Sequence, residues 1–145
     1  MKPTAYCLAL ALVACFLLFS NSAVAQEEEG HIYVVTTFKI AIPEGGSAEE
    51  RDAMLMELID AQKTNAKVLS SKNLRHRYGS DFRDWVVITE YANFADIEEA
   101  ANINQELNRK KWPDDKKRAE FFQKLFKYFP DHSDEIYTNL PKFDK

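Results

Sequence analysis

Cysteine is scarce in this chain of 145 residues, and both examples, Cys7 and Cys15, lie close to the N-terminus. The rest of the chain therefore has no thiol to serve as a nucleophile, as a zinc ligand or as one half of a redox pair. No disulfide can stabilise it either. We expect packing alone to hold the folded domain together.

The chain also lacks an apolar run long enough to span a membrane as a helix. The longest such run, 5–19, is shorter than the ~20 residues that a spanning helix needs. It follows the basic Lys2 and precedes an A-x-A pattern ending at Ala25, which is typical of a secretory signal peptide. We expect residues 1–25 to be this peptide, and the mature protein to be periplasmic or extracellular with no membrane span. The LVAC stretch ending at Cys15 resembles a lipobox and leaves a lipoprotein open.

A basic surplus is absent as well, since 19 Lys and Arg face 23 Asp and Glu and the formal net charge is −4. This balance makes non-specific binding of nucleic acid an unlikely function and predicts no nucleic-acid partner. The sequence contains no G-x-S-x-G, H-E-x-x-H, P-loop or G-x-G-x-x-G motif. We therefore predict no cofactor and no metal, and the motifs give no ground for naming a reaction.

One domain is predicted over residues 31–143, after a charged lead-in, QEEEG, at residues 26–30. Strands are predicted at 31–42, 73–78, 85–91 and 135–139 from their β-branched and aromatic content. Helices are predicted after the capping box of Ser47 and Glu50, after Asn93, and at Pro113, each followed by an apolar stripe. The order β-α-β-β-α-α-β indicates an α+β ferredoxin-like sandwich with a four-stranded antiparallel sheet.

In such a sandwich the helices cover one face of the sheet and leave the other face open. If odd-numbered residues point away from the helices, the open face is half apolar and aromatic; it then carries Tyr33, Val35, Thr37, Lys39, Trp85, Val87, Thr89, Tyr91 and Tyr137. A face of this kind is uncommon on a soluble monomer. We expect a homodimer that pairs sheet to sheet, with Val87 at the centre of the interface.

Four stretches, HIYVVTTFKI, DWVVITEY, KWPDDKKRAEFFQKLFKYF and DEIYTNLPKF, resemble small exported bacterial proteins of unassigned function in the dimeric α/β barrel superfamily. That superfamily includes haem-degrading monooxygenases, cofactor-independent oxygenases, dye-decolourising peroxidases and stress-associated proteins. The resemblance implies a homodimeric barrel that binds a small apolar or aromatic ligand in the lumen between its sheets. A ligand-free structural or envelope-stress module, and a haem-binding or cofactor-independent monooxygenase, are the alternatives.

The candidate ligand-binding residues are rings that can stack on a planar molecule and guanidinium groups that can grip a carboxylate or phosphate. They are Tyr33, Arg75, Arg77, Trp85, Tyr91 and Tyr137. The rings can equally form the dimer contact, and the arginines can be ordinary edge-strand charges.

Two histidines could carry chemistry. His76 is expected to pack against the first helix rather than act as a base. His132 follows Pro130, and we place it in the turn between the last helix and the last strand. The haem-degrading proteins carry a histidine on the helix itself, so the sequence departs from their pattern at this point. Acidic neighbours in DHSDE are expected to be capping and solvated charge rather than metal ligands.

Overall fold

The computed structural model describes residues 30–79 and 81–143. The predicted signal peptide, both cysteines and most of the acidic lead-in lie outside the described residues. The strands are β1 (Ile32–Lys39), β2 (Ser70–Arg75), β3 (Asp84–Tyr91) and β4 (Asp131–Thr138). The helices are α1 (Ala48–Gln62), α2 (Ala95–Lys111) and α3 (Asp115–Phe126), and a short 3-10 turn follows at Pro141–Phe143. All pairings in the sheet are antiparallel, in the order β2-β3-β1-β4. The predicted α+β ferredoxin-like class is confirmed.

Two strands begin earlier in the sequence than predicted. β2 covers Ser70–Arg75 instead of 73–78, because Leu69 already donates its amide hydrogen bond to Glu90 of β3 at 2.9 Å. The serines at its start form strands poorly in isolation, and pairing with β3 overrides that weak preference. β4 begins at Asp131 instead of residue 135, since its first residue already pairs with Lys39.

The predicted helix starts are present, with one change in the capping of α1. Ser47 Oγ accepts a hydrogen bond from the Glu50 amide at 3.1 Å, as a capping box requires. The Glu50 carboxylate does not return to Ser47, because it accepts hydrogen bonds from the Tyr128 hydroxyl at 2.5 Å and from Lys124. The Ser47 amide donates to the Tyr128 hydroxyl instead, at 3.2 Å. Tyr128 is fully buried and so ties the start of α1 to the end of α3.

The two faces of the sheet are set by pairing, since residues directly opposite each other share a face. Thr36 pairs with Val87, and Phe38 pairs with Trp85. Even-numbered residues of β1 therefore share the helix-facing side, here called the inner face, with odd-numbered residues of β3. The prediction that odd residues point outward in every strand was wrong for β3, and it misplaced Trp85, Val87, Thr89 and Tyr91. The error arose because the register between two strands depends on their connections and not on residue number.

No helix of residues 30–79 and 81–143 covers the opposite side of the sheet, here called the outer face. Its apolar members are Tyr33 and Val35 of β1, Leu74 of β2, Val86 and Ile88 of β3, and Tyr137 of β4. Leu74 is 49% exposed and Tyr137 is 54% exposed. The outer face thus carries an apolar patch whose members differ from those predicted. Charged and polar side chains, including Lys39, Lys72, Glu90 and Glu135, share this face with it.

Candidate ligand cavity between the sheet and the helices

A cavity of about 950 Å³ separates the inner face from α1 and α3. Its sheet wall is formed by Thr36, Phe38, Ser71, Asn73, Trp85, Val87, Thr89, Tyr91, His132 and Asp134. Its helix-side wall includes Leu55, Leu58, Ile59, Gln62, Leu125, Phe126 and Phe129. Among the described residues only Ala100, Leu125 and Tyr128 are fully buried apolar side chains. The space that a packed core would fill is therefore largely open.

Aromatic rings define one end of the cavity. The ring of Phe129 meets that of Phe38 edge-on at a centroid distance of 5.4 Å, and that of Trp85 at 6.5 Å. The Arg51 guanidinium lies 5.6 Å from the centre of the Trp85 ring and is 5% exposed. Asp52 accepts hydrogen bonds from this guanidinium at 2.7 and 2.9 Å. The Trp85 indole is thus held by a cation–π contact, and it can offer a fixed aromatic surface to a ligand.

The polar side chains of the wall are mostly paired with one another. The indole nitrogen of Trp85 donates to Asn73 Oδ1 at 3.0 Å. Asn65, only 4% exposed, donates its amide to the Ala100 carbonyl at 2.9 Å and to Asn104 Oδ1 at 2.8 Å. Burial raises the pKa of Tyr91, so its hydroxyl stays protonated at neutral pH. The cavity therefore combines apolar walls with a few oriented polar groups, as small-molecule sites do.

His132, Asp134 and Thr36 lie together at the β4 rim of the cavity. His132 Nε2 lies 3.5 Å from Asp134 Oδ2, and Thr36 Oγ1 donates to Asp134 Oδ1 at 2.6 Å. The His132 ring is tilted against that of Phe38, with centroids 5.6 Å apart. The prediction of a turn at His132 was wrong, because β4 begins one residue before it. Residues two apart on a strand share a face, and this brings His132 and Asp134 together.

The six predicted ligand-binding residues are divided between separate places. Trp85 and Tyr91 line the cavity. The other four do not: Tyr33 and Tyr137 pair with each other on the outer face, Arg75 ends β2 at the position opposite Trp85, and Arg77 lies beyond that strand. The two arginines are therefore not neighbours on one strand face. Their role in ligand binding stays a prediction.

His76 does not pack against α1 as predicted. Its ring lies 5.6 Å from that of Phe82 in the β2–β3 turn, and its Nδ1 is 3.6 Å from Asp84. Lys39 bridges Asp81 and Asp84 beside it, and its ammonium lowers the pKa of Asp84. This charged cluster fixes the end of the β1–β3 pairing.

Glu90 is the most strongly hydrogen-bonded acid of the outer face. Its carboxylate accepts hydrogen bonds from Ser70 at 2.5 Å and from Tyr33 at 2.9 Å, and it lies 2.6 Å from His31 Nδ1. These contacts lower the pKa of Glu90 from 4.5 to about 2, and the hydrogen bond from Ser70 makes the largest contribution. The outer face therefore has a paired charge at the rim of its apolar patch.

Sequence reasoning missed several cavity residues, including Phe38, Asn73, Phe129, His132 and Asp134. The strand residues among them alternate visibly in the sequence, but the face to which each set belongs is not visible there. The pairing of Thr36 with Val87 and Asp134 places Phe38, His132 and Asp134 on the inner face, and the pairing of β2 with β3 adds Asn73. Phe129 follows α3, so strand register does not place it.

Residues 30–79 and 81–143 contain no group of three or more His, Cys, Asp or Glu side chains able to hold a metal ion. Over the same ranges, no helix is long and apolar enough to cross a membrane.

The sequence matches no protein-family model and no curated protein. Solved structures are similar in fold. A mutant of SnoaB, a cofactor-independent oxygenase from Streptomyces nogalater, is 11% identical with a TM-score of 0.51, over 76% of this chain and 93% of SnoaB. A NIPSNAP family protein of unknown function from Agrobacterium tumefaciens is 14% identical with a TM-score of 0.56, over 78% and 91%. A suspected antibiotic biosynthesis monooxygenase from Caulobacter crescentus is 15% identical with a TM-score of 0.51, over 78% and 92%.

At these identities the likeness is one of fold, and it agrees with the strand order found here. The predicted ferredoxin-like fold is confirmed, and pairing of two chains as a dimeric barrel stays a prediction. The chain has the ferredoxin-like α+β fold, with a cavity between its sheet and its helices.

Proposed function

We propose that this protein is an exported homodimer that binds one small aromatic or apolar molecule per chain. The ligand occupies the cavity between the inner face and the helices, rather than a lumen between two sheets as the sequence suggested. The observation that carries the proposal is the size and lining of the cavity. A volume of about 950 Å³ lies at the upper end of the range of ligand pockets, and its walls are mainly apolar and aromatic.

Cofactor-independent oxygenation of the bound molecule is the second candidate function. It is supported by the fold shared with SnoaB, whose own activity is of this kind. A fold hosts many functions, so this support is weaker than that for binding. A ligand-free structural module is the reading that a failed binding experiment would favour.

The outer face supports the homodimer. It carries an apolar patch with exposed Leu74 and Tyr137, and a second copy related by a two-fold axis would bury this patch against its own counterpart. The proposal of export depends on residues 1–25, and its test is the mass of the mature protein. Cleavage after Ala25 predicts an N-terminus at Gln26, whereas a diacylated N-terminal Cys15 would show a lipoprotein instead.

Ligand binding can be tested with N-phenyl-1-naphthylamine, an uncharged probe whose fluorescence rises in apolar sites. We expect saturable binding at one probe per chain. Val87→Phe fills the cavity and should weaken binding at least tenfold. Val86→Phe is the matched control, because it places the same ring on the outer face, one residue away, and should keep the cavity open.

Two results would contradict the proposal. Absence of saturable binding to the unmodified protein would favour a ligand-free module. A loss of binding in Val86→Phe but not in Val87→Phe would show that the probe binds on the outer face.

A further inference from the structure

His132 lines the cavity with one ring nitrogen close to an acid. Its Nε2 lies 3.5 Å from Asp134 Oδ2, and within residues 30–79 and 81–143 no hydrogen bond to its Nδ1 is found. The ring lines the cavity and is supported on one side by Phe38. The side chain is 55% exposed, so the ring stands at the rim, where a ligand and water can both reach it.

Asp134 is held in place from the other side. Thr36 Oγ1 donates to its Oδ1 at 2.6 Å, and this leaves Oδ2 directed toward His132. A carboxylate beside one imidazole nitrogen orients the ring and stabilises the imidazolium cation that forms when the other nitrogen takes a proton. The His132 imidazole therefore lies between the Asp134 carboxylate and the open cavity, which is the arrangement of a proton acceptor.

The other charged groups nearby do not interfere with this arrangement. Lys63, which directly follows α1, also lines the cavity, but its ammonium lies 3.2 Å from Asp60 and is directed to that partner. Asp131 is on the same strand as His132, pairs with Lys39, and belongs to the outer face. Asp134 is thus the acid that faces His132.

We propose that the cavity takes an aromatic ligand bearing an acidic hydroxyl, and that His132 is the proton acceptor for that hydroxyl. This inference rests on the proposed function and specifies the chemistry of its ligand. In the step itself the ligand O–H bond breaks, an N–H bond forms at His132, and the ligand remains as its oxyanion. No electron transfer and no co-reactant is needed. Asp134 and Thr36 are positioning residues.

The experiment uses two probes that share one aromatic skeleton, one with an ionisable hydroxyl and one in which a methyl group replaces the hydroxyl hydrogen. One is 4-nitro-1-naphthol, whose oxyanion absorbs at longer wavelength than the neutral form, and the other is its methyl ether. At a fixed pH near the pKa of the free naphthol, we expect a larger ionised fraction for bound naphthol than for free naphthol. We also expect the naphthol to bind about fivefold more tightly than the ether, as one hydrogen bond allows.

Three variants separate the roles. His132→Gln should abolish the excess ionisation and the preference for naphthol while leaving ether binding unchanged, which also shows that the variant folds. Asp134→Asn should reduce the ionised fraction with little effect on the ether. Asp131→Asn, on the outer face of the same strand, should behave as the unmodified protein.

The outcomes distinguish failure of the proton-acceptor role of His132 from failure of the proposed binding function. If both probes bind but ionisation is unchanged in His132→Gln, the proton acceptor is wrong and the binding function stands. The same holds if the bound naphthol is no more ionised than free naphthol. If neither probe binds the unmodified protein, the proposed function fails and this inference fails with it.

Discussion

The buried amide of Asn65 joins the segment after α1 to helix α2. It donates to the Ala100 carbonyl and to Asn104, and its Oδ1 accepts from the Lys67 amide at 3.0 Å. Asn65→Ala would leave these buried partners without it, and we expect it to lower the free energy of unfolding by about 2 kcal/mol. Urea denaturation checks this, with Asn102→Ala on the exposed side of α2 as the control. Equal stability of the two variants would contradict the role given to Asn65.

Glu90 predicts a dependence of stability on pH. Its pKa in the folded protein is about 2, below the ordinary value of 4.5, so its contribution is present above the unfolded-state pKa. That contribution is lost as pH falls from about 5 toward 2. Glu90→Gln should therefore lower the Tm at pH 7, and the difference from the unmodified protein should shrink as the solution is acidified. A difference that stays constant across this range would show that the charge of Glu90 is not what Ser70 and Tyr33 stabilise.

At the scale of elements, the sequence predicts well whatever local chemistry decides. Ser47 caps α1 as expected, α3 begins at Asp115, two residues after the predicted start at Pro113, and the β-branched run of β1 forms a strand. The starts of β2 and β4 were missed, because serines and acids form strands there only through pairing with β3 and β1. Phe94 is the first apolar residue after Asn93, where a helix with an apolar stripe was predicted, but it is 65% exposed because it precedes the helix.

The candidate site was predicted only in part, because the face on which a strand residue lies depends on how that strand pairs with its neighbour. Trp85 and Tyr91 were correctly chosen as ring surfaces, but their face depends on how β3 pairs with β1. A shift of one residue in that register would exchange the inner and outer sets completely. Local sequence carries no such information. His132 was assigned to a turn because the start of β4 depends on its pairing with β1.

Two isoleucines on opposite faces of the sheet, Ile88 of β3 and Ile136 of β4, give opposite predictions, and this tests the assignment of faces. Ile88 lies opposite Val35 on the outer face, so Ile88→Lys places an unpaired charge within the proposed dimer interface. We expect this variant to be a monomer by light scattering, because burying an unpaired ammonium costs several kcal/mol. Ile136→Lys is the matched control, since Ile136 is 50% exposed on the inner side of β4 and pairs with Val34.

That experiment has two contradicting outcomes. A monomeric unmodified protein at micromolar concentration would remove the dimer from the account. A dimer that survives Ile88→Lys and dissociates in Ile136→Lys would place the interface on the other side of the sheet.

For the molecule as a whole, the account depends on a ligand being held within each chain, between its sheet and its helices. The most direct measurement is a crystal structure of the mature protein with N-phenyl-1-naphthylamine. We predict ring density in the cavity, in contact with Trp85, Phe129 and Leu58. Density for the probe between the outer faces of two chains, beside Tyr33 and Tyr137, would contradict the account, as would a cavity closed by side chains with no probe bound.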